Sequence, residues 1–232
     1  MIGIDQILRL PLLPLLLAQA LWVRRQAQLL PEPKGLLTGT TGQGLPFRLL
    51  IIGDSSAAGV GAATQSAALS GQLVSRLANR YQLTWQLEAR TGNTTPDTIQ
   101  RLSVLEPVAF DCAIIALGVN DVTRMTSKAQ FVSQQATLFK VLKDRFQVRQ
   151  ILSSGVPPLQ HFPLIPSPLA WTLGRHATRL DAGLAKLASQ TEGVCHLPLA
   201  LPQDPEMVAT DGFHPSPKAY SVWAANLARH VS

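Results

Sequence analysis

From Arg48 onward the chain alternates short apolar runs with longer segments whose apolar residues recur every three to four positions. Leu49–Ile52 is unbroken in apolar character and predicts a first strand. Ser70–Arg80 predicts a helix, with Leu73 and Leu77 on one face. A strand over Thr84–Ala89 and a short helix over Thr98–Leu105 follow. Cys112–Leu117 is apolar throughout, as expected of a strand with both faces covered. Lys128–Phe146 is the longest predicted helix, carrying Phe139, Leu142 and Phe146 along one side. Arg149–Val156 reads as a fourth strand, Leu173–Ser189 as a helix and Val194–Leu197 as a fifth strand. A last helix starts at Pro217, with Ser216 as its cap and Tyr220, Trp223 and Leu227 facing inward. Strand–helix alternation at this spacing predicts an α/β domain, a parallel sheet with helices on both sides. In such folds ligands sit beyond the carboxyl ends of the strands, near the switch point in strand order.

Three stretches depart from this rhythm. Leu10–Val23 is apolar except for Gln19, with Arg9 before it and Arg24-Arg25 after it. That run is shorter than the roughly 20 residues needed to cross a bilayer. It fits an interfacial anchor giving peripheral membrane contact through residues 10–25, with Trp22 and the arginines at headgroup level. The alternatives are a signal peptide cleaved near Ala18-Gln19-Ala20, although Asp5 leaves the start barely positive, and a helix packed on the protein's own surface. An anchor places the protein at a membrane, with Arg24-Arg25 holding the downstream domain in the cytoplasm; a cleaved signal sends it to the periplasm or outside. Residues 31–46, rich in proline and glycine, read as a linker, dividing the chain into 1–30, 31–46 and 47–232. The proline-broken segment 157–171 (PPLQHFPLIPSPLAW) reads as a long loop expected to line a pocket or act as a lid.

Composition narrows the function classes. Apolar residues at 46% against 15% charged describe a packed globular chain. Twenty lysines and arginines exceed fourteen acids, but the excess is spread along the chain, without the basic run that tracks a phosphate backbone. No nucleic-acid partner is expected. Cys112 and Cys195 both lie in apolar segments and read as free thiols, too few and too far apart for a metal site. No metal and no cofactor is expected.

The chemistry gathers at the predicted strand ends. The first strand runs into Gly53-Asp54-Ser55, the second into Arg90-Thr91-Gly92-Asn93 and the third into Gly118-Val119-Asn120-Asp121; Asp211-Gly212-Phe213-His214-Pro215 follows the fifth. A serine hydroxyl needs a base to become a nucleophile, and His214 can supply one. Asp211, three residues earlier in a tight turn, can hold that imidazole in one tautomer. The N–H groups of Ser55 and Gly92 and the side-chain amide of Asn120 can receive an oxyanion. The glycines of GDSSAAGVG (53–61) also suggest a phosphate cradle, but no Gly-Lys-Ser/Thr ends the loop and Gly59, Gly61 and Ala62 miss the dinucleotide spacing. Nor does a Gly-x-Ser-x-Gly elbow surround Ser55. His161, His176, His196 and His230 have no acid at close spacing and read as non-catalytic.

GDSS, the glycine of RTGNT, GVND and DGFHP resemble, in order and spacing, the four blocks of the SGNH or GDSL-type hydrolases over roughly residues 47–232. The resemblance implies Ser55 as nucleophile, Gly92 and Asn120 in the oxyanion hole, and Asp211 and His214 completing the triad. It implies a flavodoxin-like three-layer α/β/α sandwich around a five-stranded parallel sheet, with no metal. GDSS in place of GDSL is a departure, and the shortness of the glycine block makes Gly92 the weakest match. The expected reaction is hydrolysis of carboxylic esters through an acyl-serine, with a small-molecule or lipid-derived ester as substrate. A thioesterase, a lysophospholipase or a carbohydrate deacetylase would use the same triad. A catalytically silent, membrane-tethered binding module is the reading from another class.

Overall fold

A computed structural model describes residues 3–199 and 201–232. Helix α1 (Ile4–Gln26) comes first, then strands β1 (Thr38–Thr41) and β2 (Leu45–Gly53). The one-turn helix α2 (Ser55–Ala58), helix α3 (Leu69–Leu77), strand β3 (Tyr81–Ala89) and helix α4 (Thr95–Ser103) follow. Strand β4 (Cys112–Ala116) leads through the short helix α5 (Val119–Thr123) into α6 (Lys128–Phe146). Strand β5 (Gln150–Ser154), helix α7 (Leu169–Ser189), strand β6 (Val194–Leu197) and helix α8 (Pro217–His230) complete the chain.

The sheet has the order β1-β3-β2-β4-β5-β6. All neighbours are parallel except β1, which runs antiparallel to β3 at the edge. Side chains alternate across it, because successive strand residues face opposite sides. Leu50, Ile52, Ala113, Ile115 and Ile151 pack with Leu102 of α4, Phe131, Leu138 and Phe139 of α6 and Leu180 of α7. Leu49, Ile51, Cys112, Ile114 and Leu152 pack with Leu69, Leu73 and Leu77 of α3 and Tyr220, Trp223 and Leu227 of α8. The result is the three-layer α/β/α sandwich. Cys112 is fully buried, and burial pushes its thiol pKa well up, so it behaves as a small apolar side chain.

The strand count needs correction: the described residues form a sheet of six, not five. Residues 31–46, expected as a linker, hold the extra strand. Thr38-Gly-Thr-Thr41 has no apolar alternation to announce it, and it is held by pairing with β3, where Thr40 Oγ1 lies 3.1 Å from Thr84 Oγ1. The preceding residues are tied down as well. Glu32 accepts hydrogen bonds from the Thr91 N–H (3.0 Å) and hydroxyl (2.7 Å), and Lys34 bridges to Thr64. Proline and glycine here mark tight turns at a sheet edge.

Helix α1 extends well beyond the apolar run, to 23 residues, and by length and composition alone it could cross a membrane. In the structure it lies along α7, antiparallel to it. Asp5 receives two hydrogen bonds of 2.7 Å from Arg179, and Gln19 near the other end donates to the Ser167 carbonyl (2.7 Å) and accepts from the Leu169 N–H (3.0 Å). Leu12 and Leu16 between them, and Val23 beyond Gln19, rest on the core.

Candidate active site

Gly53 ends β2 where the sheet leaves no room for a side chain: a Cβ there would stand 2.3 Å from the Ala116 carbonyl oxygen. Asp54 then leaves the sheet as the cap of α2. Its Oδ1 accepts from the Ser56 N–H (2.9 Å) and the Ser56 hydroxyl (2.7 Å), which fixes the start of the helix and keeps the Ser56 hydroxyl occupied. Ser55 is thereby the first residue of the turn, at the carboxyl end of β2. The chain order places that end at the switch point, because β3 flanks β2 on one side and β4 on the other.

The rest of the serine loop is shaped by what it packs against. Gly61 has φ +101°, and a Cβ on it would meet the Pro215 carbonyl oxygen at 2.3 Å. The loop therefore lies directly on the turn that carries His214. Tyr220 of α8 secures it, donating a 2.6 Å hydrogen bond to the Val60 carbonyl from a fully buried position.

Ser55, His214 and Asp211 form one hydrogen-bonded chain. His214 Nε2 lies 2.9 Å from Ser55 Oγ, and His214 Nδ1 lies 2.5 Å from Asp211 Oδ2. An ionised carboxylate only accepts, so Nδ1 carries the proton and Nε2 is free to take one from the serine. Asp211 Oδ1 accepts from the backbone N–H groups of Phe213 and His214, both at 3.0 Å. Burial by itself would raise the Asp211 carboxyl. The hydrogen bonds from the His214 ring and from the two backbone N–H groups outweigh it and hold the pKa below the ordinary 3.8.

The two remaining expected residues lie nearby with distinct geometries. Gly92 has φ +85° and faces open space, with nothing within 4 Å of where a Cβ would be. Among the described residues, neither the Ser55 N–H nor the Gly92 N–H donates a hydrogen bond within the protein. Asn120, in the first turn of α5, donates from its amide to the Asn93 carbonyl at 2.9 Å and to Asp54 Oδ2 at 3.5 Å. The side chain is thus oriented by the glycine-block loop, and only its second hydrogen is loosely held. Asp54, 2% exposed, links Ser56 and Asn120; burial raises its carboxyl against the opposing hydrogen bonds from Ser56.

Behind this loop lies a buried acid, Asp121. It accepts from the Thr95 N–H at 3.3 Å and the Thr95 hydroxyl at 3.2 Å, and Thr95 in turn accepts from Gln135 at 2.8 Å. Burial, only partly offset by the Thr95 hydrogen bonds, pushes Asp121 up to about 6 from 3.8. The folded state therefore binds the proton more tightly than the unfolded chain. The stabilisation this gives is complete below about pH 3.8 and is lost as pH rises through about 6. At about 1.4 kcal/mol per unit, ionised Asp121 costs up to about 3 kcal/mol near neutrality. Asp121→Asn should raise the Tm at pH 7.5, and the gain should vanish in melts at pH 4. A gain that is the same at both values would remove ionisation as its cause.

An apolar cavity of about 750 Å³ opens at Ser55 and His214. Leu117, Val119 and Trp223 line it from the domain core, and Pro157, Phe162 and Pro163 from the proline-broken segment. Phe162 packs edge-on against Phe213, beside His214. Leu199, Leu201, Met207 and Val208 supply a further wall. No signal in the amino-acid pattern announces that wall, since its residues follow neither helical nor strand periodicity and Gln203 and Asp204 stand among the apolar ones. One histidine also has an acid partner after all: His196 Nε2 lies 2.8 Å from Asp181 Oδ1, an oxygen that also accepts from the Val156 N–H. The partner stands 15 residues away in sequence, so a search at close spacing misses it. The pair ties the ends of β5 and β6 to α7 and touches neither Ser55 nor His214.

Comparison with known proteins bears on the family and the fold. The profile of the GDSL-like Lipase/Acylhydrolase family matches residues 51–222, most of the chain. A search of curated proteins finds no significant match. Among solved structures, LAE5, an alpha/beta hydrolase enzyme from the metagenome of Lake Arreo, superposes with a TM-score of 0.63 at 16% identity, over 81% of this chain and 95% of that one. The psychrotrophic esterase EstA from Pseudoalteromonas sp. gives 0.62 at 17%, over 78% and 94%. Axe2, an acetylxylan esterase from Geobacillus stearothermophilus, gives 0.57 at 17%, over 82% and 95%. At these identities the likeness is one of fold, and it matches the sandwich described above. With the family profile over residues 51–222, it establishes that this chain belongs to the GDSL-like lipase/acylhydrolase family, the SGNH hydrolases.

Proposed function

We propose that this protein hydrolyses carboxylic esters with an extended acyl chain, through an acyl-enzyme on Ser55. The observation that carries the reading is the Ser55–His214–Asp211 hydrogen-bond chain opening onto an apolar cavity. In the first half, Ser55 Oγ bonds to the acyl carbon while its proton passes to His214 Nε2. The tetrahedral intermediate collapses, the ester C–O bond breaks and the leaving alcohol takes that proton. In the second half water gives its proton to His214 Nε2 and attacks the acyl carbon; the acyl–Oγ bond breaks, the acid leaves and His214 returns the proton to Ser55 Oγ. Asp211 keeps the proton on Nδ1 throughout.

The N–H groups of Ser55 and Gly92 are free donors at the serine loop and at the neighbouring strand end, and we assign them to the oxyanion. Asn120 joins through the amide hydrogen that Asp54 holds only at 3.5 Å. A substrate oxyanion is the stronger acceptor for it. Pre-placed donors of this kind typically each contribute about 10²–10³ in turnover.

The cavity wall argues for acyl length over acetyl groups. Each methylene removed from water contributes about 0.8 kcal/mol. Four more methylenes, from p-nitrophenyl acetate to hexanoate, should therefore raise kcat/KM about two-hundred-fold. A flat or falling series would exclude an extended acyl pocket and favour a small acyl group. Thioesters of the same acyl chains, run in parallel, separate a thioesterase from an oxygen-ester hydrolase.

A further inference from the structure

Helix α1 touches the protein along a narrow seam. Asp5, Arg9, Leu12, Leu16, Gln19 and Val23 are its buried or half-buried residues, spaced four-three-four-three-four, which is one stripe of a helix. The large apolar side chains off that seam are exposed, including Leu10 (80%), Leu17 (56%), Leu21 (57%) and Trp22 (50%). At 100° per residue the exposed leucines, isoleucines and Trp22 sweep an arc of about 220°. Between Leu10 and Val23 no charged residue interrupts it, and Arg24-Arg25 close it.

We infer that α1 is an in-plane membrane helix whose free face enters the interface of an anionic phospholipid bilayer. A rigid protein partner covers one side of a helix, whereas a bilayer interface accommodates apolar residues over so wide an arc. The charge fits an anionic surface. Trp22, Arg24 and Arg25 are the residue types that favour headgroup depth, and the chain carries a net charge of +6. Two observations make the helix lie along the surface. Arg179 on Asp5 and the Ser167 and Leu169 backbone on Gln19 pin both ends to one flank of the catalytic domain. Pro11 and Pro14, inside the helix, leave the Ile7 and Leu10 carbonyls without their helical donors. At headgroup depth water satisfies such carbonyls; in hydrocarbon each would cost several kcal/mol. The Gln19 clamp also sets this membrane face beside the segment whose prolines and Phe162 wall the cavity.

This inference is independent of the catalytic reading, and so is its test. Full-length protein is mixed with preformed vesicles of phosphatidylcholine alone or with about 30% phosphatidylglycerol, and sedimented. The expected result is binding to the anionic vesicles. Each of Arg24→Gln and Arg25→Gln should lower partitioning about five-fold. Leu10→Ser/Leu17→Ser/Leu21→Ser should abolish it while leaving the thermal melt of the catalytic domain in place, since these side chains face away from the protein. Trp22 fluorescence, taken as wild type minus Trp22→Phe, should be quenched more by lipids brominated near the headgroup than near the chain ends. Stronger quenching by the deep bromines overturns the in-plane arrangement in favour of a spanning helix. Wild-type protein left in the supernatant overturns membrane binding, and so does a dimer that the triple leucine variant converts to monomer without vesicle binding, which would make a second copy the occupant.

Discussion

Ser55→Ala should lower ester turnover by about 10⁶, to the background left by binding and oxyanion donors alone. The size follows from the hydrogen-bond chain acting as one unit. Without Oγ there is no nucleophile, and His214 Nε2, 2.9 Å from that oxygen, has nothing to deprotonate but water. His214→Ala should cost as much, and the double variant scarcely more than either single one. Stability should hardly move, because only one partly buried hydrogen bond is lost, worth about 1 kcal/mol. Labelling by a fluorophosphonate gives a readout that does not depend on choosing the right ester. Wild type should be labelled on Ser55, and Ser55→Ala not at all. A folded wild type that takes no label and cleaves no ester would leave a silent binding module as the better description.

How much of this is legible in the sequence depends on the reach of each interaction. Strands β4 and β6 and helix α6 are readable because their signals are local. Cys112–Ala116 is buried on both faces, and Lys128–Phe146 repeats its apolar residues at helical spacing. The candidate-site blocks are readable for the same reason: Asp54-Ser55, Asn120 and Asp211–His214 each carry their pattern within a few residues. The features that escape are non-local. Thr38–Thr41 is a strand only because β3 offers it an edge, and nothing within four polar or glycine residues announces that. The seam of α1 depends on Arg179, 174 residues from Asp5. His196 finds Asp181 through the fold, and the cavity wall of Leu199, Leu201, Met207 and Val208 is built from residues without periodicity. The direction of the Asn120 amide is likewise set by the Asn93 carbonyl, a contact that side-chain identity does not encode.

Asp211→Asn should be the more instructive loss, because it keeps the shape of the site and changes only where a proton sits. The Asn oxygen can take over from Oδ1 and continue to accept from the Phe213 and His214 N–H groups. Its NH2 then faces His214 Nδ1, where the carboxylate oxygen was. An NH2 only donates, so Nδ1 must become the acceptor and the ring proton moves to Nε2. The histidine is then turned to Ser55 in the tautomer that cannot remove its proton. Loss of this kind costs about 10⁴ in kcat with the geometry intact. KM should change little, because Asp211 lies behind the imidazole, away from the bound ester. The same substitution has a signature in stability. Asp211 is held below its ordinary pKa in the folded protein, so it stabilises the fold above about pH 3.8 and ceases to as pH falls through the folded value. Melts of Asp211→Asn against wild type should differ by about 2 kcal/mol at neutral pH, the worth of hydrogen bonds to a buried charge. The difference should narrow as pH falls below 3.8. A variant that keeps near-native kcat at neutral pH would show that His214 holds its working tautomer without the carboxylate, and would reduce Asp211 to a turn residue.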